Sequence, residues 1–309
     1  MRVFRFNDSL SSPALISDEI PIPTPGSGQK RIRIYAAGVT RSELVWYPTA
    51  HALNGAVRTG AIPGHEFSGV VDAVGSDLCA DDIGQPVFGM NDWFTDGATA
   101  EYCLAPVSSL APKPAGLTHM EAAAVPISAL TAWQGLFDRA KLQSGERVLI
   151  HGGSGAVGTF AIQFAHHAGA HVITTASHRN FAFLAGIGAN EVIDYHASKF
   201  EELAGTMDIV FDLVGGETLR RSWSLLKKEG RMVTIAADSE GQKDERTKSA
   251  FFIVQPNGAQ LTEISRLFEQ GSLRVFVDAE VPLARASEAY CGTIENRKGR
   301  GKTVIFTTN

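Results

Sequence analysis

The chain has 309 residues, of which 44% are apolar and 20% are charged, and its formal net charge is −5. This length exceeds what one ordinary hydrophobic core organises, so we expect two domains. The only run rich in Lys and Arg is 297–302, which argues against a nucleic-acid partner. No segment reaches the roughly 18 apolar residues of a membrane helix, and residues 1–10 lack the apolar region of a secretory signal. Three widely spaced cysteines predict no disulfide framework and a reducing, cytoplasmic location.

Up to about residue 118 the pattern is typical of short strands. Residues 31–35 alternate between charged and apolar side chains, and the apolar segment 67–75 is interrupted and closed by glycines. Gly, Pro and Asp recur between such segments, as turns require. The pattern predicts an antiparallel, barrel-like domain over residues 1–118.

From residue 119 the pattern changes to helices and buried strands. Residues 120–125 and 130–137 have helical patterns, and short apolar runs then alternate with further helical patterns. Such alternation indicates βαβ units and a parallel sheet, so the fold class is α/β. The predicted strands of this sheet are 147–150, 171–176, 191–194, 208–214 and 230–236. A solvated loop is expected at 240–248.

After residue 258 the pattern predicts four more elements. They are a helix at 261–270, a strand at 274–277, a helix at 284–296 and a strand at 302–306.

The segment HGGSGAVG, residues 151–158, connects a predicted strand to a predicted helix. One reading is a nucleophile elbow with Ser154 as the nucleophile, because residues 152–156 differ from G-x-S-x-G only at the last position. In that hydrolase fold the acid and then the histidine follow the serine. The last histidine is His196, two residues after Asp194, so the general base is missing. We reject the hydrolase reading.

The second reading is a dinucleotide-binding turn. Residues 153–158 fit G-x-G-x-x-G in the strand–turn–helix context that this motif requires. Gly152 and Gly155 allow a tight turn and close approach of a pyrophosphate, and the N–H groups near Ala156 and Val157 begin a helix, whose positive end attracts an anion. A glycine turn without a ligand is the alternative at this point.

The residues after the second predicted strand favour NADPH over NADH. An NAD site places Asp or Glu there to bind the ribose 2′-hydroxyl, whereas this chain reads Ser177-His178-Arg179-Asn180. A hydroxyl and a guanidinium suit the 2′-phosphate of NADPH. The alternative for Arg179 is that it is an exposed residue in the first turn of a helix and binds no phosphate.

Tyr195 and Lys199 have the Y-x-x-x-K spacing of short-chain dehydrogenases. In those enzymes the pair lies on a long helix far after an N-terminal glycine motif. Here it follows a strand end about forty residues after a mid-chain motif. We reject the pair as catalytic and keep Tyr195 as a residue that reaches the cofactor phosphate.

Taken together, the segments 64–78, 100–106, 121–177, 188–195 and 211–219 resemble the medium-chain dehydrogenase/reductase superfamily. The resemblance is strongest to its NADPH:quinone oxidoreductase (zeta-crystallin-like) branch. It implies a GroES-like β-barrel catalytic domain at 1–118 and a Rossmann NADP-binding domain at 119–258. Residues 259–309 then return to complete the sheet and the catalytic domain.

The resemblance also implies which residues surround NADPH. Gly155, Ala156 and Val157 face the pyrophosphate, and Ser177, Arg179 and Tyr195 surround the 2′-phosphate. Thr131 lies near the nicotinamide end. The inner face of the cofactor is lined by Ile235, Ala236, Phe252 and Val254.

The zinc-dependent branch of the superfamily is a separate case. His65 and Glu66 match its G-H-E motif, but catalytic zinc sites use three protein ligands. Thr40 stands at the first cysteine position, and 127–128, at the second, contain no sulfur. We therefore expect no metal and a hydrogen-bonded, buried His65.

Without zinc, alcohol oxidation lacks its Lewis acid, so the resemblance favours activated acceptors. The expected activity is hydride transfer from NADPH to a quinone or an α,β-unsaturated carbonyl. Thr40 and Tyr47 are the candidate catalytic residues. Glu43 and Trp46 are further candidates for residues that line the active-site cleft. The alternative for Tyr47 is that it lines the cleft without a catalytic role. A non-enzymatic NADPH-binding protein and a zinc-type alcohol dehydrogenase remain alternatives.

The resemblance further implies a homodimer, in which edge strands of the Rossmann sheets pair. The predicted strand 274–277 is the candidate contact.

Overall fold

The structure is a computed structural model and describes residues 1–7, 15–241 and 243–307. The chain divides into two compact units, Met1–Ile127 together with Gln255–Asn309, and Ser128–Val254. The predicted domain boundaries were 118/119 and 258/259. The first boundary differs because the helix His119–Ala123 packs on five strands of the first unit and therefore belongs to it.

The elements of the described residues have the following bounds. The strands are β1 (Arg2–Phe6), β2 (Leu15–Glu19), β3 (Gln29–Gly38), β4 (Glu66–Val74), β5 (Pro86–Met90), β6 (Tyr102–Pro106), β7 (Leu110–Pro112), β8 (Arg147–Ile150), β9 (His171–Ala176), β10 (Glu191–Asp194), β11 (Met207–Asp212), β12 (Leu226–Thr234), β13 (Val277–Pro282) and β14 (Lys302–Phe306). The helices are α1 (Tyr47–Ala50), α2 (His119–Ala123), α3 (Pro126–Trp133), α4 (Ala156–His167), α5 (Phe181–Ala185), α6 (Phe200–Leu203), α7 (Gly216–Ser222), α8 (Glu245–Ala250), α9 (Gly258–Glu269) and α10 (Ala286–Cys291).

The first unit is built on a sheet of seven strands. Its order is β13-β14-β3-β4-β5-β7, and β6 pairs with β3. The pairs are antiparallel except β13 with β14. Alternate residues of β3 are buried, namely Ile32, Ile34 and Ala36, as a strand with one face on the core requires. The register places Gly38, the last residue of β3, opposite Val304 of β14, so the residues after β3 come beside the start of β14.

The second unit contains a parallel sheet with the order β10-β9-β8-β11-β12. Val148, Leu149 and Ile150 of the central strand β8 are fully buried, as expected of a parallel strand covered on both faces. The order reverses direction at β8, between β9 and β11, which is where ligands of doubly wound sheets bind. The predicted α/β fold class, with a GroES-like domain and a Rossmann-like sheet, is confirmed.

Several sequence expectations are corrected by the structure. Residues 274–276 form no strand, and β13 begins at Val277 and pairs with β14 in the first unit. The segment 274–277 is therefore not an edge of the Rossmann sheet, and the prediction of an edge strand there is wrong. The helix predicted at 284–296 ends at Cys291 because Gly292 adopts a left-handed backbone. The expected loop at 240–248 contains the start of α8, whose N-cap Asp244 accepts a hydrogen bond from Thr247 N.

No helix of the described residues is long and apolar enough to cross a membrane.

Candidate cofactor and active sites

The glycine turn between β8 and α4 requires glycine at several positions. Gly152 has a φ of +73°, in the left-handed region. A Cβ at Gly153 would overlap the Thr174 hydroxyl, and a Cβ at Gly158 would overlap the carbonyl oxygen of Gly152. Gly155 is the N-cap of α4 and is exposed, and no side chain caps the helix. The turn therefore presents the backbone N–H groups of Ala156 and Val157 at an open helix start, which suits a pyrophosphate.

His151, which the sequence reasoning did not single out, holds this turn in place. Its Nδ1 lies 3.0 Å from Thr175 Oγ1, and its Nε2 lies 2.8 Å from Ser222 Oγ. Ser222 donates its own hydrogen to the Thr218 carbonyl, so its oxygen accepts from Nε2. Burial lowers the pKa of His151 to about 4. A histidine directly after the apolar run 148–150 is the sequence signal that points to such a buried role.

The residues predicted to bind the 2′-phosphate follow neighbouring strand ends. Asp194, the last residue of β10, pairs with Ala176, the last residue of β9, so Ser177 and Tyr195 come next to each other in the sheet register. Arg179 is exposed two residues further on, and Tyr195 is 55% exposed. The structure thus brings Ser177, Arg179 and Tyr195 to the carboxyl ends of β9 and β10.

The residues predicted along the inner face of the cofactor cluster at the end of β12. Ile235 N donates to the Asp212 carbonyl at 3.3 Å, and Ala236 N donates to Thr234 Oγ1 at 3.2 Å. Phe252 N donates to the Thr234 carbonyl at 3.2 Å. These bonds place Ile235, Ala236 and Phe252 around the carboxyl ends of β11 and β12.

The two remaining cofactor candidates are buried in the same unit. Val254 is the last residue of the second unit, and Thr131 in α3 is 3% exposed. Directly after α3, residues Gln134–Arg139 form a π-helical segment, a distortion that frequently accompanies functional sites.

Asp212 is a second residue that the sequence reasoning missed. It is fully buried at the end of β11. Its carboxylate accepts hydrogen bonds from Gly215 N at 3.0 Å, from Val214 N at 3.2 Å and from Thr234 Oγ1 at 2.8 Å. Burial raises its pKa, and these hydrogen bonds oppose that rise. Asp212 thereby fixes the loop after β11 to the end of β12, next to Ile235 and Ala236.

In the first unit, three neighbouring strands bring Thr40, Glu66 and Lys302 together. Thr40 follows the end of β3, Glu66 begins β4, and Lys302 begins β14. The ammonium of Lys302 lies 2.8 Å from Thr40 Oγ1 and forms an ion pair with Glu66 Oε1. Glu66 Oε2 accepts a hydrogen bond from Ile127 N at 2.9 Å. Burial raises the pKa of Glu66, and Lys302 opposes that rise.

His65 and Glu43 form a second buried polar pair. His65 Nδ1 lies 2.9 Å from Glu43 Oε2, which also accepts from Gly64 N at 2.7 Å. His65 Nε2 lies 3.0 Å from the Thr95 carbonyl oxygen, which only accepts. The expectation of a buried, hydrogen-bonded His65 is thus met in the structure.

Tyr47, the other candidate catalytic residue, begins α1 and is 52% exposed. Its ring stacks on His51 with the ring centres 4.0 Å apart. Trp46, just before it, packs edge-on against Trp93. Tyr47 therefore lies on the surface of the first unit, whereas Thr40 is held by a buried ammonium.

The Y-x-x-x-K pair has no shared helix in the structure. Tyr195 lies in a turn, and Lys199 precedes the four-residue helix α6 and pairs with Glu202 at 3.5 Å. This geometry agrees with its rejection as a catalytic pair.

The sequence matches two family models. The alcohol dehydrogenase GroES-like domain matches residues 26–115, and the zinc-binding dehydrogenase domain matches residues 187–305. A probable zinc-binding oxidoreductase, mitochondrial, from Arthroderma benhamiae is 32% identical over 97% of this chain and 95% of that protein. The chain belongs to the medium-chain dehydrogenase/reductase superfamily.

Other members of the superfamily are similar over much of the chain. The structure of a quinone oxidoreductase from Coxiella burnetii matches with a TM-score of 0.87 and 30% identity, over 100% of this chain and 99% of that chain. A 2-methylene-furan-3-one reductase from Solanum lycopersicum is 32% identical over 79% of this chain and 63% of that protein.

The zinc-binding name of one matched family model can be tested on the side chains. At the position of the first cysteine ligand, Thr40 accepts from an ammonium, and both ring nitrogens of His65 are engaged. Within residues 1–7, 15–241 and 243–307, no three His, Cys, Asp or Glu side chains are grouped so as to hold a metal. The described donor set does not fit a catalytic zinc ion, which needs three ligands.

Proposed function

We propose that this member of the superfamily is an NADPH-dependent reductase that transfers hydride to a quinone or an α,β-unsaturated carbonyl compound without zinc. The observation that carries the proposal is the Thr40–Lys302–Glu66 arrangement. It offers a hydroxyl held by an ammonium where a zinc-dependent member has a thiolate ligand. Acceptors that already take up hydride readily need no Lewis acid, so this arrangement supports them over simple alcohols.

The second unit supports the choice of cofactor. The glycine turn at residues 152–158 fits a pyrophosphate, since side chains there would overlap the backbone and Thr174. Ser177 and Arg179 offer a hydroxyl and a guanidinium, and residues 177–180 contain no carboxylate to bind a 2′-hydroxyl. NADPH, when bound, supplies the hydride. The chain's own residues bind it, orient it through the loops that Asp212 and His151 hold, and keep water from its inner face with Ile235, Ala236, Phe252 and Val254.

Two relatives support the choice of acceptor class. The names of the Coxiella burnetii structure and the Solanum lycopersicum protein refer to a quinone and to an enone. Both compounds carry a carbonyl oxygen that gains negative charge when hydride adds to the conjugated system.

The deciding experiment follows the loss of NADPH absorbance in a stopped-flow instrument with a panel of quinones and enones. We expect turnover with at least one acceptor, a tenfold or greater preference for NADPH over NADH, and no stimulation by zinc. Tight NADPH binding without turnover of any acceptor indicates a non-enzymatic NADPH-binding protein. Turnover of alcohols that requires added zinc indicates a zinc-type alcohol dehydrogenase.

The homodimer and the cytoplasmic location stay predictions. The edge strands of the described parallel sheet are β10 and β12, and edge strands are the ones that pair with a second copy. The end of β12 is already bridged to Phe251 at Thr234. Light scattering that gives a mass near the 33.1 kDa of one chain at micromolar concentration contradicts the dimer.

A further inference from the structure

The ammonium of Lys302 is held on two sides in the interior of the first unit. Lys302 is 7% exposed, and its partner Glu66 is fully buried. A Cβ at Gly38 would lie 2.5 Å from the carboxyl carbon of Glu66. The Glu66 carboxylate therefore fits here only because residue 38 has no side chain. The ammonium is therefore fixed in position by its ion pair with Glu66.

The hydrogen bond from Lys302 determines how the Thr40 hydroxyl is oriented. An ammonium only donates hydrogen bonds, so Thr40 Oγ1 is the acceptor in the 2.8 Å contact. The hydrogen of the Thr40 hydroxyl then points away from Lys302. Thr40 is partly exposed, unlike its buried neighbours Gly38 and Val39. A bound molecule that reaches the Thr40 hydroxyl therefore meets a hydrogen-bond donor. A positive charge behind the oxygen makes the hydroxyl a stronger hydrogen-bond donor.

We propose that Lys302 is a positioning residue that acts through Thr40, and that the Thr40 hydroxyl donates a hydrogen bond to the carbonyl oxygen of the acceptor. This inference rests on the proposed function. Hydride from NADPH forms a C–H bond on the acceptor, and the π electrons of the acceptor move to its carbonyl oxygen. NADPH is thereby oxidised to NADP⁺, and the acceptor oxygen or carbon then takes one proton from water. Thr40 stabilises the oxyanion before that proton arrives.

Removal of Lys302 alone leaves the buried carboxylate of Glu66 without its ion-pair partner, which destabilises the fold of Lys302→Met. The double variant Lys302→Met/Glu66→Gln removes both charges and is the working variant. Thr40→Val removes only the hydroxyl, and Thr40→Ser keeps it as the conservative control. Lys298→Met is the matched lysine control, because Lys298 donates to the Val277 carbonyl and is exposed.

We expect Thr40→Val and Lys302→Met/Glu66→Gln each to lower kcat about 100-fold, the scale of one lost oxyanion donor, with an unchanged Kd for NADPH. Thr40→Ser and Lys298→Met keep kcat near that of the wild type. The triple variant combines Thr40→Val with Lys302→Met/Glu66→Gln. Because Lys302 acts through Thr40, we expect this variant to have the same kcat as Thr40→Val alone. A triple variant in which the two losses multiply overturns the proposal, as does a folded double variant with the kcat of the wild type.

A second measurement keeps the inference separate from the reductase assignment. The probe is para-nitrophenol, whose ionised form has an oxyanion and a distinct absorbance, titrated with pH against the NADP⁺-saturated protein. We expect the bound probe to ionise at a lower pH in the wild type than in Lys302→Met/Glu66→Gln. Equal ionisation in both proteins, or no binding by the wild type, overturns the inference. A wild type that shows the expected shift but reduces no quinone or enone overturns the proposed function alone.

Discussion

The Nδ1 atom of His65 lies 2.9 Å from Oε2 of Glu43, and both side chains are fully buried. The second ring nitrogen of His65 faces the Thr95 carbonyl oxygen. His65 is thus part of a hydrogen-bonded pair in the interior of the first unit. Loss of one partner leaves the other buried and uncompensated, which gives the pair a large effect on folding.

The first prediction concerns metal dependence. His65→Ala should lower the free energy of unfolding by about 3–5 kcal/mol, the cost of breaking a buried pair, as measured by urea denaturation. The kcat of the folded fraction should change less than tenfold. Prolonged dialysis of the wild type against a chelator should leave both Tm and turnover unchanged. His196→Ala, at an exposed position, is the matched control for the loss of an imidazole.

A chelated protein that loses turnover and regains it with added zinc contradicts the zinc-free proposal. The proposed acceptor class then fails with it, because a Lewis acid widens the range of substrates.

The second prediction concerns the choice between NADPH and NADH. Arg179→Ala should weaken NADPH binding by about 1–3 kcal/mol, the scale of a hydrogen bond to a charged group, and leave NADH binding nearly unchanged. The measurement is a fluorescence titration with each cofactor. Arg220→Ala, another exposed arginine of the second unit, should affect neither. An equal loss for both cofactors removes Arg179 from the 2′-phosphate site.

The sequence pattern predicted those elements in which local residues determine the structure. Strands 147–150, 171–176, 191–194 and 302–306 have the predicted bounds, because short apolar runs between turn residues specify buried strands. The segment 274–277 was assigned to the wrong sheet, since strand pairing depends on contacts distant in sequence. The glycine motif was recognised because its geometry is local. The hydrogen bond between Lys302 and Thr40 was not predicted, because 262 positions separate the two residues. Only the pairing of β14, β3 and β4 brings them together.

The third prediction concerns the glycine turn. A Cβ at Gly158 would overlap the backbone of Gly152 and Gly153, which cannot move away as a flexible side chain can. Gly158→Ala should therefore displace the turn from the start of α4, lower Tm and weaken NADPH binding at least tenfold. Gly116→Ala is the matched control, because a Cβ there meets no atom within 4 Å. Wild-type NADPH affinity in Gly158→Ala contradicts the assignment of this turn to the cofactor.

The fourth prediction concerns stability in weak acid. Burial lowers the pKa of His151 from its ordinary value of 6.5 to about 4. The unfolded chain therefore binds a proton at this position more readily than the folded chain between these values. The contribution of neutral His151 to stability is complete above about pH 6.5 and is lost as the pH falls towards 4. The loss amounts to about 3 kcal/mol, since one pKa unit corresponds to about 1.4 kcal/mol.

The measurement is the free energy of unfolding by urea at several pH values between 4 and 7.5, for the wild type and for His151→Asn. The asparagine variant should be less stable at pH 7.5, because its bond to Ser222 is lost, and its stability should fall less steeply with acid. His119 titrates in the same range, as burial also lowers its pKa to about 4, so only the difference between the two proteins reports on His151. Parallel curves for the two proteins mean that His151 accepts a proton in the folded state as readily as in the unfolded chain. In that case the Thr175–His151–Ser222 chain of hydrogen bonds does not depend on a neutral ring.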